Sequence, residues 1–84
     1  MERAIAERVL AVAQECSRKI DRSVELVVET CTADERTGYG RLAGRMMASI
    51  FENLMAPVYD EYPDLAPEWY NEMNRKRSLG SQTP

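Results

Sequence analysis

The first thirty residues carry apolar side chains at intervals of three or four positions. These side chains are Ile5, Val9, Val12, Cys16, Ile20, Val24, Val27 and Cys31. Because an α-helix completes a turn every ~3.6 residues, they share one helix face. Two pairs of opposite charges four residues apart, Arg3 with Glu7 and Glu15 with Lys19, support a helix on its polar faces. The pattern predicts a first helix from about residue 2 to about residue 21.

Residues 24–31 allow two interpretations. Val24, Leu26 and Val28 occupy every second position, and the stretch is rich in valine and threonine, which is typical of a strand. A lone strand needs a pairing partner, however, and the rest of the chain offers none. We therefore favour a continued helix. The alternative is a strand over residues 24–30 that pairs with its copy in a second subunit.

A second helix is predicted to begin at Ala33. Thr32 followed three residues later by Glu35 has the form of a capping box, which is typical of a helix start. Residues 37–40 contain two glycines, each costing about 1 kcal/mol relative to alanine within a helix. This short stretch is therefore open to interpretation as a loop.

From Arg41 onward the helical pattern is firm and its apolar face is wide. One line of the face holds Leu42, Met46, Ile50, Leu54 and Val58, with Met47, Phe51 and Met55 beside it. Of these, Met46, Phe51 and Leu54 are predicted to lie in the core. Pro57 predicts a kink or an early end, because proline removes a backbone hydrogen bond and clashes with the preceding turn. Since Pro63 biases Tyr62 towards an extended conformation, the helix should stop by about Tyr62.

A third, shorter helix is predicted after Asp64, which has the side chain of an N-cap residue. Leu65, Trp69 and Met73 then fall four residues apart, and Pro67 lies in the tolerant first turn. The basic residues 75–77 suit a helix C-terminus. The predicted fold is all-α, with one helical domain over residues 1–77 and a flexible C-terminal tail over residues 78–84.

The length of the chain limits the core that it can form. Its 84 residues make one domain at most, and a chain this short buries only about 60–65% of its unfolded surface. Cys16 and Cys31 are too few for a disulfide framework, and their spacing fits no zinc motif, so both are predicted as buried small hydrophobes. A second subunit is the remaining way to stabilise the fold. We expect a homodimer in which the first helices pair through Ile5, Val9, Val12, Cys16 and Ile20.

Charge is unevenly distributed along the chain, although the net charge is only −3. Residues 46–74 contain six acidic side chains and no basic one, together with most of the aromatic and methionine residues. Such a surface offers adaptable apolar contact, and its carboxylates attract a basic partner. The predicted partner-binding residues are Tyr59, Asp60, Glu61, Tyr62, Asp64, Trp69, Tyr70 and Met73.

The sequence offers little for catalysis or for cofactor binding. It contains no histidine, which removes the commonest general base and metal ligand. Gly38, Gly40 and Gly44 do not have the spacing of a dinucleotide fingerprint, and the carboxylates of residues 60–64 lack the spacing of a calcium loop. We expect no cofactor, no metal and no enzymatic activity. The glycines at 40 and 44 are interpreted instead as a site where another helix approaches closely.

Two functional hypotheses follow, and both place the protein in the cytoplasm, since no leader or membrane-spanning pattern is evident. The first is a small protein that binds and modulates another protein, as an inhibitor, antiactivator, adaptor or chaperone does. The second is a dimeric DNA-associated transcriptional regulator in which either paired first helices or a strand ribbon between subunits presents the basic residues of the first helix. These are Arg3, Arg8, Arg18, Lys19 and Arg22. Acidic residues interleave with them, so the first hypothesis is favoured over nucleic-acid binding.

Overall fold

The computed structural model describes residues 1–81, with side chains for residues 1–77, and this part of the chain is entirely helical apart from short connections. Helix α1 spans Arg3–Thr30 and helix α2 spans Ala33–Ile50. A π-helical turn, Phe51–Met55, leads directly into α3, Ala56–Glu61. A 3₁₀ turn, Pro63–Leu65, precedes α4, Glu68–Ser81. The all-α prediction is confirmed for the described residues. The tail predicted from residue 78 is helical as far as Ser81, and residues 82–84 lie outside the described part.

Helix α1 is continuous as far as Thr30, so the favoured continuation of the helix is confirmed and the strand alternative for residues 24–30 is wrong. A helix satisfies its backbone hydrogen bonds within the segment, whereas a strand would need a neighbour. Val24 and Val27 are half-buried, as expected for a helix that packs on α2 along its length. The Ser23 hydroxyl also shares a hydrogen bond with the Tyr39 hydroxyl of α2. Helix α1 ends at Thr30, and the Cys31 N–H caps the carbonyl of Val27 at 2.9 Å.

The predicted capping box starts α2 and turns the chain into an antiparallel hairpin. The Glu35 N–H donates to Thr32 Oγ1 at 3.3 Å, and the Thr32 N–H donates to Glu35 Oε1 at 3.2 Å. The backbone N–H and the hydroxyl of Thr32 both donate to the Glu35 carboxylate, and these hydrogen bonds lower the pKa of Glu35. Residues 37–40 are helical, so the loop alternative is wrong. Satisfied donors at the cap favour the helix and offset the cost of the glycines.

A π-helical turn separates α2 from α3 just before Pro57. The Ala56 N–H bonds to the Phe51 carbonyl, five residues back, in place of the usual four. Proline at 57 cannot donate to the preceding turn, and its ring crowds that turn in a regular helix. The wider turn relieves this conflict, so the chain continues helically through α3 as far as Glu61. The extra residue also rotates α3, which places Val58 and Tyr59 on the buried side.

The core lies at the open end of the hairpin, opposite the turn between α1 and α2. Ala6 and Leu10 of α1 pack there with Val58 and Tyr59 of α3 and with Tyr70 of α4. Partly buried apolar side chains pack around them, including those of Val9, Phe51, Met55, Tyr62 and Leu65. Farther along the hairpin the buried side chains are only two alanines, at 13 and 43. The core is therefore small and concentrated at one end.

The structure corrects two of the predicted core residues. Phe51 is half-buried and packs against the core, but Met46 and Leu54 are exposed. A wide apolar helix face can bury only the part that meets a neighbouring helix. On α2 the part that meets a neighbouring helix contains the buried Ala43. The predicted line through Met46 and Leu54 lies beside this contact and is exposed.

The chain is flatter and more extended than a compact chain of the same length. Its Cα radius of gyration is 16.3 Å, and its principal extents are 47 × 38 × 17 Å. A compact chain of 84 residues has a radius of gyration of about 12 Å. The hairpin of two long helices accounts for this shape, because α4 covers only one end of it. Within the described residues, no helix combines the length and apolar character that crossing a membrane requires.

Replacing Gly44 by alanine tests whether the glycines of α2 serve a close helix approach. A Cβ atom added to Gly38, Gly40 or Gly44 would meet nothing within 4 Å, and none of these glycines has a positive φ. We therefore expect Gly44→Ala to raise the free energy of unfolding by about 0.5–1 kcal/mol through higher helix propensity. Chemical denaturation followed by circular dichroism measures this change. A destabilised variant would indicate that another helix approaches position 44.

Candidate protein-interaction site

The residues predicted to contact a partner lie at the open end of the hairpin, but they divide into three groups. Tyr59 and Tyr70 are only 3% and 5% exposed. Both side chains belong to the core of the protomer, which corrects their assignment to an exposed face. The sequence could not distinguish Tyr59 from a surface residue, because the π-helical turn decides which side of α3 is buried. The burial of Tyr70 depends on where α4 packs against the hairpin, which no local pattern encodes. Both tyrosines pack in the core beneath the exposed side chains at this end of the hairpin.

Four aromatic rings form a continuous cluster at this end. Phe51 lies 6.3 Å from Tyr59, 5.8 Å from Tyr70 and 5.9 Å from Trp69, measured between ring centroids. The Phe51 and Trp69 rings are nearly parallel, at 22°, and Trp69 meets Tyr70 edge-on. Offset stacking and edge-to-face contacts are the favoured arrangements of aromatic pairs. The cluster ties α4 to the π-helical turn.

Tyr70 connects the aromatic cluster to the first of the predicted acidic residues. Its hydroxyl donates to Asp60 Oδ1 at 2.8 Å. Burial raises the pKa of Tyr70, and the hydrogen bond to the Asp60 carboxylate raises it further. The tyrosine therefore remains protonated at neutral pH, and Asp60 serves the protomer as an acceptor.

The second group of predicted residues binds the N-terminal segment of the same chain. Arg3 forms a two-bond ion pair with Asp64, in which Nη1 donates to Oδ1 at 3.1 Å. The Arg3 guanidinium also lies 5.6 Å from the centre of the Tyr62 ring. The Tyr62 hydroxyl donates to the Met1 carbonyl at 2.7 Å, and the Met1 amino group lies 2.9 Å from Glu61 Oε1. These contacts neutralise part of the acidic surface.

The third group, Trp69 and Met73, remains open to solvent. The Trp69 side chain is 56% exposed although one face of its ring stacks on Phe51, and Met73 is also exposed. Glu68 and Glu72 lie beside them on α4 and are exposed. Within residues 1–77 neither glutamate forms an ion pair. We name these four residues the Trp69 surface. Neither glutamate was among the predicted site residues, although Glu72 follows Trp69 by three residues and Glu68 by four, so that spacing on a helix links the three side chains.

The side chains predicted to form a dimer contact are mostly exposed. Ile5, Val12 and Cys16 are exposed, while Val9 and Ile20 are half-buried. A shallow groove of about 400 Å³ is lined by four side chains of α1 and by Leu54 of the π-helical turn. The side chains of α1 are Ile5, Arg8, Val9 and Val12. The buried part of α1 is the adjacent line through Ala6, Leu10 and Ala13. Part of the apolar face of α1 is therefore left uncovered by the described residues of the chain.

The predicted state of the cysteines is only partly correct. Cys31 is half-buried next to the hairpin turn, whereas Cys16 is exposed, so the prediction of a buried thiol at 16 is wrong. Cys16 lies on the part of the apolar face that the protomer leaves uncovered. No group of three or more acidic or cysteine side chains in the described residues is arranged to hold a metal ion.

The Arg3–Asp64 ion pair should make stability depend on pH in the acidic range. The hydrogen bond from Arg3 lowers the pKa of Asp64 from its ordinary value of 3.8. The stabilisation is therefore fully present above pH ~4 and is lost as the pH falls through the lowered pKa of the folded state. We expect Asp64→Asn to flatten the decline of unfolding free energy below pH ~4, measured by urea denaturation at several pH values.

Asp21→Asn is the matched control, because it removes an exposed carboxylate from α1 without touching Arg3. An equally steep decline in the Asp64 variant and the wild-type protein would show that the ion pair is absent in solution. The measurement would then contradict the attachment of the N-terminal segment to this corner.

Comparison with known proteins yields no relative from which a function could be transferred. No protein-family model matches the chain, and neither a curated protein nor a solved structure matches it. The functional interpretation therefore depends on the positions, charges and exposure of the chain's own side chains.

Proposed function

We propose that this protein is a non-enzymatic interaction module that binds and modulates another protein through the Trp69 surface. The observation that carries the proposal is the exposed indole of Trp69, fixed by its stack on Phe51 at 5.9 Å. A small chain with a small core would gain stability by burying its one tryptophan completely. Here the largest side chain of the protein is left more than half open to solvent.

The anchoring of Trp69 prepares it for binding. Tryptophan is among the residues that contribute most to interface energy, because its large rigid ring loses little conformational freedom on binding. The stack on Phe51 and the edge contact with Tyr70 restrict the ring before a partner arrives. Met73 lies one turn farther along α4 and adds an adaptable apolar contact. The pair gives the surface an apolar centre.

Charge indicates the chemistry of the partner. Glu68 and Glu72 lie along one side of the apolar centre on α4, and both residues are exposed. The carboxylates of Asp60, Glu61 and Asp64 have partners within the protomer. We therefore assign attraction of the partner to the two glutamates of α4. A partner with lysine or arginine around an apolar pocket would fit this surface.

The DNA-associated alternative gains less from the geometry. One of its two forms needed a strand ribbon between subunits, and residues 24–30 are helical. In the other form α1 presents its basic residues, but Arg3 is held by Asp64 and Lys19 lies 3.4 Å from Glu15. Binding to duplex DNA that falls steeply with added salt would favour this alternative over the interaction module.

A charge reversal on the Trp69 surface tests the proposed function. We expect Glu72→Lys to weaken binding of a basic partner protein about threefold to tenfold, because a rim charge changes association more than packing does. Trp69→Ala should abolish measurable binding. Affinity capture from the host lysate with wild-type bait identifies the partner, and titration of that purified partner with each variant measures the change.

Glu25→Lys is the matched control, since Glu25 is also exposed within a helix but lies near the hairpin turn. It makes the same change in charge and should leave binding unchanged. Circular dichroism establishes that each variant is folded. A partner that binds the folded Trp69→Ala and Glu72→Lys variants with wild-type affinity would contradict the proposal.

A further inference from the structure

A second apolar surface lies on one broad side of the α1–α2 hairpin, away from the Trp69 surface. We propose that a second copy of this chain covers it, so that two hairpins pack face to face as a four-helix arrangement. We name this surface the broad face. Helix α2 and the π-helical turn that follows it together form the returning segment of the hairpin. The exposed members of the broad face are Ile5, Val12 and Cys16 of α1 and Leu42, Met46 and Leu54 of the returning segment.

Both helices contribute to one continuous surface. The groove lined by Ile5, Val12 and Leu54 shows that the exposed part of α1 and the end of the returning segment open on the same side. Leu42 and Met46 lie twelve and eight residues before Leu54 and four residues apart, so they share one face of α2 and extend the apolar surface towards the hairpin turn. The surface runs for about 17 Å along α1 and about 18 Å along the returning segment, at about 1.5 Å per residue.

The side chains on the broad face are unusually open for large apolar groups. Val12 and Leu42 are each 60% exposed, and Met46 is 57% exposed. Single exposed apolar residues are ordinary, but a contiguous patch that spans two helices is typical of an interaction site. Of the described side chains that line its groove, Arg8 alone is charged.

The accessible area of the protomer supports a second copy as the occupant. The chain has a mass of 9.6 kDa and exposes 6354 Å². A compact monomer of this mass exposes about 5,100 Å², so the protomer carries an excess of about 1,250 Å². A stable interface of standard size buries about 800 Å² on each partner. This excess belongs to the whole elongated chain, and it exceeds the area that one such interface buries on each partner.

A second copy also matches the chemistry of the broad face. A predominantly apolar surface needs a partner surface that is apolar over the same length, and an identical hairpin has one by symmetry. Pairing through α1 alone would leave Leu42 and Met46 in water. Face-to-face packing covers both helices and enlarges the small core at the open end of the hairpin. This contact is separate from the Trp69 surface, so either proposal can fail without the other.

The test compares two lysine substitutions on the broad face with two matched controls. Val12→Lys and Met46→Lys place a charge on the face, one on each helix. Val28→Lys and Ala48→Lys make similar changes at exposed positions about 160° around the same helices, at about 100° per residue. Analytical ultracentrifugation measures the mass of each protein, and circular dichroism measures its helicity.

We expect the wild-type protein and both controls to have twice the 9.6 kDa chain mass at micromolar concentration. Both variants on the broad face should raise the dimer dissociation constant by about a hundredfold or more, since each would bury an unpaired charge. A monomeric wild-type protein would overturn the proposal. So would a dimer that persists in Met46→Lys, because the second helix would then lie outside the interface.

A measurement on the wild-type protein keeps the test decisive if a variant loses its helicity. Dissociation and unfolding are coupled in a small dimer, so its thermal midpoint rises with protein concentration. We expect this rise for the wild-type protein and for the Val28→Lys control. A midpoint that is independent of concentration in the wild-type protein would overturn the proposal.

Discussion

The packing of Ala6 and Leu10 against Val58, Tyr59 and Tyr70 is the contact on which the rest of the structure depends. Two long helices joined by a short turn have no other concentrated core, because the buried side chains farther along the hairpin are alanines. The two tyrosines fill the open end and bring α4 onto the hairpin. The same contact orients Trp69 outward on its Phe51 support and leaves the broad face uncovered. Both proposed interaction surfaces are therefore consequences of one small core.

Local signals in the sequence identified the helices but not which of their faces is buried. The three-and-four spacing in α1 and the capping box of Thr32 and Glu35 are contained within a few residues, so both could be predicted. The choice between Leu10 and Val12 as the buried residue depends on where α2 lies, which no local pattern encodes. The burial of Tyr59 depends on the π-helical turn before Pro57. Proline signalled an irregularity there without indicating its form.

The acidic corner illustrates the same limit for the candidate site. Its carboxylates, Asp60, Glu61 and Asp64, lie within five residues of one another in the sequence, but Arg3 lies sixty-one residues from Asp64 and no spacing rule links these two. The N-terminal segment therefore neutralises side chains that the sequence alone assigned to a partner. The exposed Trp69 and Met73 of the predicted set remain, with two glutamates on the same helix. Long-range contacts thus decided which predicted residues are available for binding.

Native-state amide hydrogen exchange tests the central claim most directly, because it reports stability residue by residue. If the core at the open end holds the protein together, the amides of residues 9–13 in α1 and of Tyr62 and Tyr70 should exchange most slowly. The amides of residues 27–38 around the hairpin turn should exchange fastest among the hydrogen-bonded ones. Greatest protection around the hairpin turn, with rapid exchange at Tyr62 and Tyr70, would contradict the account. The core would then lie elsewhere, and neither the Trp69 surface nor the broad face would be held as described.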